Sequence, residues 1–365
     1  MNTPGKNLEL FVELNLNDAS PQEPLIPVEY ARQRSVAADK LKPLEERLEA
    51  LEDVYESEVG DTMLSRARNI EREIGIFQLF IKFEGSNPSG THKDRIAFVQ
   101  VIDALRRGYD TVTMATCGNY GVAMAAACSL AGLKCLVFYP EQYHTRRLNE
   151  MVALGAEIIR IPGDYEKAVD MSREAAAKDE LYDSNPGGSN TAMQLKAYAE
   201  IAHEIYDELR DAPAAVALPV SNGTTIAGIH RGFMSLYRRG KTSRIPRMIA
   251  GSSFNKNPIV WAFTKNTARC ADLKPELIKE TPINEPLINW HSIDGDLALN
   301  AIRSTGGWAA NVSDKSLLTF SRLLREREGI NVLPASTAGL AAFSDGHRKQ
   351  PLPNDRYVII LTGRR

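Results

Sequence analysis

Along most of the chain, short apolar runs alternate with longer segments in which apolar residues recur at helical spacing. The runs at 76–83, 111–115, 135–139, 157–161, 214–220, 247–251 and 357–362 predict strands. The intervening segments 94–107, 120–131, 166–178, 191–209, 225–237 and 315–327 predict helices. Strand–helix alternation of this kind predicts α/β architecture, with mostly parallel sheets covered by helices on both faces. Ahead of it, residues 1–37 carry Pro4, Pro21, Pro24 and Pro27 and predict an irregular lead-in. Leu41, Leu44, Leu48 and Leu51 then repeat among charged residues, which predicts an amphipathic helix packed on the body of the protein. Residues 252–312 show mixed signals and no clear period. No internal repeat and no low-complexity tract interrupts the pattern.

Composition narrows the class. The chain has 365 residues, 43% of them apolar, enough for one large domain or two smaller ones. Its formal net charge is -2, with acids and bases interspersed, so nothing marks nucleic acid as a partner. The first residues lack the basic start and apolar run of a signal peptide, and no stretch reaches the roughly 18 apolar residues of a membrane span. Cys117, Cys128, Cys135 and Cys270 form no CxxC pair, and no HExxH occurs, so no metal site is expected. A few free thiols fit a reducing, cytoplasmic setting.

Four segments could carry chemistry, each placed between a strand and a helix. The first runs from Glu84 through Asn87-Pro88-Ser89-Gly90 to Lys93-Asp94-Arg95. Its turn formers predict a tight loop, and its end places Lys93 at a helix N-terminus. The positive end of the helix dipole disfavours an ammonium there, and a readily neutralised lysine is what imine formation requires. A phosphate-binding GxxxxGK[ST] loop nearly fits from Gly85 to Gly90, but Lys93 follows Gly90 by three residues and Asp94 comes next. A solvated lysine is the ordinary outcome for an isolated residue.

The second segment is Thr116-Cys117-Gly118-Asn119-Tyr120-Gly121, whose helix-start amides could hold a carboxylate. Simple helix capping by Asn119 is the commoner use of such a turn. The third, Pro219-Val220-Ser221-Asn222-Gly223-Thr224-Thr225 through Gly228, offers free amides, hydroxyls and a glycine, a combination suited to a phosphate. It contains no lysine, which suits a cofactor phosphate better than a transferable one. The fourth is Pro334-Ala335-Ser336-Thr337, for which capping alone is an adequate explanation.

In this order the segments resemble the fold type II pyridoxal-phosphate (PLP) enzymes, the tryptophan-synthase-β-like superfamily, and within it the threonine synthases. Lys82 to Arg95 is similar to their K-x-E-x-x-N-P-[TS]-G-[ST]-[FH]-K-D-R stretch. Residues 117–121 are similar to their [ST]-G-N-[TA]-[SG] loop, Pro219 to Gly228 to the phosphate loop, and Pro334-Ala335-Ser336 to an E-P-[AS]-S turn. Leu154-Gly155-Ala156-Glu157 and Leu361-Thr362-Gly363 also match in place, so the resemblance runs from about residue 60 onward.

The resemblance implies two three-layer αβα domains with PLP in the cleft between them. The smaller would span 108–195. The larger would combine 1–107 with 196–365, its first 60 residues forming an extension, and the assembly would be a homodimer. It implies a Schiff base on Lys93, which also moves the substrate's α-proton. Asn119 would meet the cofactor's 3′ oxygen, Ser221, Asn222, Gly223, Thr224 and Thr225 its phosphate, and Ser336 its pyridine nitrogen. Thr116, Cys117, Gly118, Asn119 and Tyr120 would cradle the substrate carboxylate, with Ser89 and Arg95 as further substrate contacts. For Arg95, a helix-face ion pair is the plainer alternative.

A hydroxyl at the pyridine nitrogen does not force a pyridinium, and that favours elimination at Cβ or Cγ over transamination. The expected activity is a PLP-dependent lyase or β/γ-replacement on an activated amino acid, threonine-synthase-like. The alternatives are β-replacement on a serine derivative (cysteine or cysteate synthase type), a threonine/serine dehydratase, or a non-catalytic binder of PLP or amino acids. No clear regulatory domain follows Gly363, which weighs against a regulated dehydratase. His92 stands where threonine synthases usually have Phe, Tyr120 where they have a smaller residue, Ser221 for Gly and Leu333 for an acid. These departures leave the substrate open. A titrating His92 could assist proton transfer, but packing is the simpler role.

Overall fold

The computed structural model describes residues 28–116, 118–141 and 147–365. Its strands are β1 (Leu64–Arg66), β2 (Leu79–Phe83), β3 (Thr111–Ala115), β4 (Lys134–Pro140), β5 (Glu157–Ile161), β6 (Tyr182–Asp183), β7 (Ala215–Pro219), β8 (Arg247–Ser253), β9 (Trp308–Val312) and β10 (Tyr357–Leu361). Its helices are α1 (Val28–Ala38), α2 (Leu44–Glu58), α3 (Arg68–Ile74), α4 (Lys93–Arg106), α5 (Asn119–Leu130), α6 (Leu148–Ala153) and α7 (Tyr165–Lys178) in the first half. The second half adds α8 (Thr191–Leu209), α9 (Thr224–Arg238), α10 (Pro258–Thr264), α11 (Gly295–Ser304), α12 (Asp314–Glu328) and α13 (Ala338–Lys349).

The strands form two sheets, ordered β1-β2-β10-β7-β8-β9 and β5-β4-β3-β6. Every pairing is parallel except β1 with β2. In the larger sheet the side chains divide by parity. Val216, Leu218, Val358 and Ile360 join one core cluster, together with residues of α4, α8 and α9. Ala215, Ala217, Ile359 and Leu361 join the other, with residues of α12 and α13. Both faces are therefore covered, and that is why these strands read as unbroken apolar runs. The smaller sheet repeats the arrangement, with Val112 and Met114 on the α5 side and Ala115, Phe138 and Ile161 against Ala168 and Val169 of α7. The fold is α/β with three-layer αβα packing, as the alternation predicts. Among the described residues no helix is long and apolar enough to cross a membrane.

Three strands escape the sequence pattern. β1 and β6 are too short to show a period. β9 lies in the stretch without a clear period and mixes buried Ala309 and Val312 with half-buried positions at the sheet edge. The irregular lead-in also needs correction, because residues 28–38 form α1, which packs Ala37 into the core. The helix expected from Leu41 starts instead at Leu44, after Pro43. Proline keeps the residue before it out of helical conformation. Leu41 is 94% exposed, and the packed face is Ala50, Leu51 and Val54.

All four chemistry-bearing segments gather at the carboxyl ends of parallel strands: residues 84–92 after β2, Thr116 and Gly118 after β3 and 220–223 after β7, with the Ser336 turn beside 362–363 after β10. That edge is where open α/β sheets bind ligands. The Ser336 turn reaches it because α13 lies directly on the sheet. A Cβ on Gly339 would sit 2.5 Å from the Leu218 backbone, and one on Gly251 would sit 2.0 Å from the Ala338 oxygen. Gly339→Ala is therefore expected to overpack this contact and cost about 1–3 kcal/mol, read as a fall in the thermal unfolding midpoint of the full chain.

Candidate active site

The loop after β2 is folded by its own backbone. Residues Glu84–Ser86 form a 3₁₀ turn, and the Gly90 amide donates to the Asn87 carbonyl at 2.8 Å. The Thr91 hydroxyl accepts from the Lys93 amide at 3.2 Å, opening α4. Lys93 thus occupies the first position of the helix. Burial lowers its pKa to about 8, so a substantial neutral fraction exists near physiological pH. Its Nζ donates to the Tyr198 hydroxyl at 3.4 Å and lies 5.8 Å from the Tyr120 ring centroid.

Behind Lys93 lies a buried ion-pair cluster. Arg95 donates through Nε and Nη2 to Glu84, and through Nη1 and Nη2 to Glu204 of α8. Arg95 is 2% exposed and Glu84 is fully buried. Lys82 pairs with Glu204, while Thr62 and Asn87 donate to Glu84. Burial works against ionising Glu84, but the neighbouring Arg95 outweighs it and holds its carboxyl below the usual range. The same opposition lowers the pKa of Glu204. The substrate-contact reading of Arg95 is corrected here: its guanidinium is saturated by two carboxylates and does not face the cleft.

His92 stacks on Tyr198, with ring centroids 5.4 Å apart and planes at 30°. Its Nδ1 lies 3.1 Å from the Thr362 carbonyl, which can only accept, so Nδ1 carries the proton. Burial, and then the nearby Lys93 charge, drive its pKa well below the usual value. His92 is a neutral packing element, not a titrating one.

The loop after β3 caps its own helix. The Thr116 hydroxyl accepts from the Gly118 and Gly121 amides, each at 3.1 Å. The Thr116 acceptor and the Gly118 amide are therefore committed internally, which leaves the first-turn amides of Asn119 and Tyr120 for a carboxylate. Cys117 lies outside the described residues. Asn119 Oδ1 accepts from Arg147 at 2.7 Å. A guanidinium only donates, so the amide is fixed with Nδ2 turned away from Arg147 and able to donate to a ligand oxygen. Arg147 also donates to the Ser89 carbonyl at 2.7 Å, tying this loop to the one that carries Lys93.

Two expected substrate contacts are occupied by protein partners. The Ser89 hydroxyl donates to Asp94 at 2.9 Å, as does its amide. The Tyr120 hydroxyl donates to the Ser184 carbonyl and accepts from Gln100. Tyr120 contributes a wall beside Lys93, and its side chain offers a substrate no polar group.

The loop after β7 presents the start of α9. Gly223 has φ 95, and a Cβ there would meet the Asp294 oxygen at 2.8 Å. Only glycine satisfies both the conformation and the space. The Ser221 carbonyl accepts from Asn257 and Ser292, Asn222 Oδ1 accepts from Asn289, and the Thr224 hydroxyl donates to buried Asp294. The Asn222 and Thr224 side chains are thus tied down within the protein, and the first-turn amides of α9 follow the loop. Thr225 interacts with the hydroxyl of Tyr198, whose opposite neighbour is Lys93 Nζ. Ser336, 2% exposed, donates to the Gly363 carbonyl and lies 3.2 Å from the Thr362 hydroxyl.

Lys93, Thr225, Tyr120 and His92 are thus gathered around Tyr198 and Thr362, while Arg147 joins Asn119 to Ser89. The residues fit PLP: a neutralisable amine, a glycine-shaped cradle of helix-start amides for a phosphate monoester, and a directed Asn119 amide. Tyr198, Arg147 and Thr362 were not legible as site residues. Tyr198 lies within an ordinary helical pattern, no local motif marks Arg147, and Thr362 stands in the matching Leu361-Thr362-Gly363 segment with no role assigned to it there.

These features define a cofactor-dependent α/β enzyme with a reactive lysine. Residues 55–363 match the family described as pyridoxal-phosphate dependent enzyme, and the chain belongs to it. It is 33% identical to the threonine synthase of Methanocaldococcus jannaschii over 305 residues, covering 83% of this chain and 74% of that protein. It is 31% identical to the threonine synthase of Bacillus sp. (strain ULM1) over 307 residues, covering 83% and 82%. In structure it is similar to the processed form of threonine deaminase isoform 2 from Solanum lycopersicum, with TM-score 0.68, 16% identity, and coverage of 92% of this chain and 89% of that one. The chain is a PLP-dependent lyase, and PLP is its cofactor.

Two outcomes follow from this geometry. Glu84→Ala leaves Arg95 buried with half its partners and is expected to cost about 3–5 kcal/mol, measured by chemical denaturation. Only the neutral amine attacks an aldehyde, so the rate at which cofactor-stripped protein takes up PLP should rise with pH and level off above about 8, the Lys93 value. Stopped-flow absorbance across that range checks it.

Proposed function

We propose that the enzyme is threonine-synthase-like, converting O-phosphohomoserine to threonine and phosphate. The observation that carries this reading is the Lys93 amine, with its pKa lowered to about 8 and one tyrosine hydroxyl away from the amide cradle of residues 221–225. Identity to threonine synthases at about a third of positions supports the substrate.

In this reading the first-turn amides of α9 bind the cofactor phosphate. Asn119 Nδ2 holds the 3′ oxygen, its orientation set by Arg147. Ser336 meets the pyridine nitrogen by turning its single hydroxyl proton from Gly363. The Asn119 and Tyr120 amides hold the substrate carboxylate. Bound PLP would supply an aldehyde carbon for imine chemistry with amines and a ring able to accept electrons from the substrate Cα. Lys93, once released, takes the proton from Cα and returns one further along the chain. Neutral His92 and the Tyr120 ring exclude water around Nζ, which keeps the amine unprotonated for that task. The cleft would lie between a smaller domain, 108–195, and the remainder of the chain, in a cytoplasmic homodimer.

The test offers the loaded protein O-phosphohomoserine, O-phosphoserine, O-acetylserine, threonine and serine in parallel. Phosphate release and threonine formation from O-phosphohomoserine alone support the proposal. Turnover of a serine derivative with sulfur nucleophiles, or release of ammonia and a keto acid from threonine, would sink it. Lys93→Ala should lower kcat by about 10²–10⁴-fold and abolish borohydride labelling at that position.

A further inference from the structure

We propose that Tyr198 is a catalytic residue of this site, its hydroxyl holding Lys93 Nζ through each change in the amine's protonation. The proposal rests on the reading of Lys93 as the imine-forming lysine.

Tyr198 Oη is the only hydrogen-bond partner of Lys93 Nζ among the described residues. The 3.4 Å separation is long, as catalytic hydrogen bonds often are before a substrate closes the site. The ring carrying the hydroxyl is immobilised. It is fully buried and stacked on His92. On the other side α9 passes so close that a Cβ on Gly228 would lie 2.6 Å from Tyr198 Cβ. Tyr198 also shares α8 with Glu204, so the ion pair that anchors α4 through Arg95 fixes the distance between the two helices.

The chemistry of the group suits its place. Burial pushes the phenol pKa well up, so the hydroxyl stays neutral. A neutral phenol has both a proton to donate and lone pairs that accept. It can accept from a protonated Nζ and can donate to the lone pair of a neutral one. A carboxylate could do only the first, and an ammonium only the second. A partner that must gain and lose a proton in every turnover needs both. Phenylalanine at this position would fill the same volume and keep the stack on His92, while leaving a buried amine without a polar neighbour.

The experiment compares full-length, PLP-loaded wild type with Tyr198→Phe. Both should melt alike and both should be labelled at Lys93 by borohydride. In Tyr198→Phe the protonated imine nitrogen has lost its acceptor, so the pH at which the imine absorbance changes should shift downward. The kcat should fall by about tenfold or more with KM little changed, the pattern of an interaction used in the chemical step. An imine titration and a kcat pH profile identical to wild type would overturn the proposal, since a purely structural tyrosine would alter melting alone. Borohydride labelling of a different lysine in the wild type would instead reject the Lys93 reading, and this proposal with it.

Discussion

The active-site end of the molecule depends on one buried guanidinium. Arg95 joins the turn after β2, through Glu84, to the middle of α8, through Glu204, and it does so from the first turn of α4. Two carboxylates, Arg95 and Lys82 balance in charge, and Thr62 and Asn87 donate to the same two Glu84 oxygens that Arg95 holds. Such a cluster adds little net stability over a well-packed apolar core, but it tolerates very little displacement, because any lost partner strands a charge away from water. It therefore acts chiefly as a locator. With α4 and α8 fixed to each other, Lys93 and Tyr198 face each other two positions before Arg95 and six before Glu204, and the His92–Tyr198 stack closes over them.

The second constraint is the sheet edge. Parallel strands deliver their loops to one end, so segments more than a hundred residues apart converge without any local signal linking them. β10 is central, between β2 and β7, and its exit carries Thr362 and Gly363 between the His92 and Ser336 segments. The close seating of α13 on β7 and β8 through Gly339 and Gly251 then sets how far the Ser336 turn can project. Backbone proximity at two glycines and one carbonyl, that of Thr362, thus coordinates three parts of the site.

What the sequence made legible follows from which interactions are local. Strands buried on both faces show as apolar runs, and turn formers followed by helical periodicity mark the loops after β2, β3 and β7. The Lys93, Asn119 and Gly223 segments were recognisable for that reason. Interactions between distant positions left no such mark. Arg95 resembled a substrate contact because Glu204, 109 positions away, is its partner only in three dimensions. Tyr198 is one more apolar-face residue of α8 until His92, Thr225 and Lys93 are placed around it. β9 failed because an edge strand with half-buried positions has neither the unbroken run of a central strand nor a strict alternation. Leu41 misled because leucine at helical spacing was read through Pro43, which ends the register.

A further regularity concerns how the site divides its polar groups. The hydroxyls of Ser89, Tyr120, Thr224 and Ser336 all donate to protein acceptors, and that of Thr116 accepts from two amides of its own loop. Side chains that the motifs would assign to ligands are thus used to shape the loops. What remains facing the cleft is mainly backbone N–H at the starts of α5 and α9, the Nδ2 group of Asn119 and the amine of Lys93. Helix-start amides are fixed in direction by the helix behind them and need no reorganisation when an anion arrives. An anionic cofactor and an anionic substrate can then share one cleft without a cluster of free cations, whose mutual repulsion the buried Lys93 would feel as a still lower pKa. Charge recognition at this edge is thus left to amides, and burial alone is enough to lower the Lys93 pKa to about 8. The guanidiniums of Arg147 and Arg364 at this edge are both engaged by protein, Arg147 by Asn119, Ser89 and Glu150 and Arg364 by the Gly85 and Pro88 carbonyls.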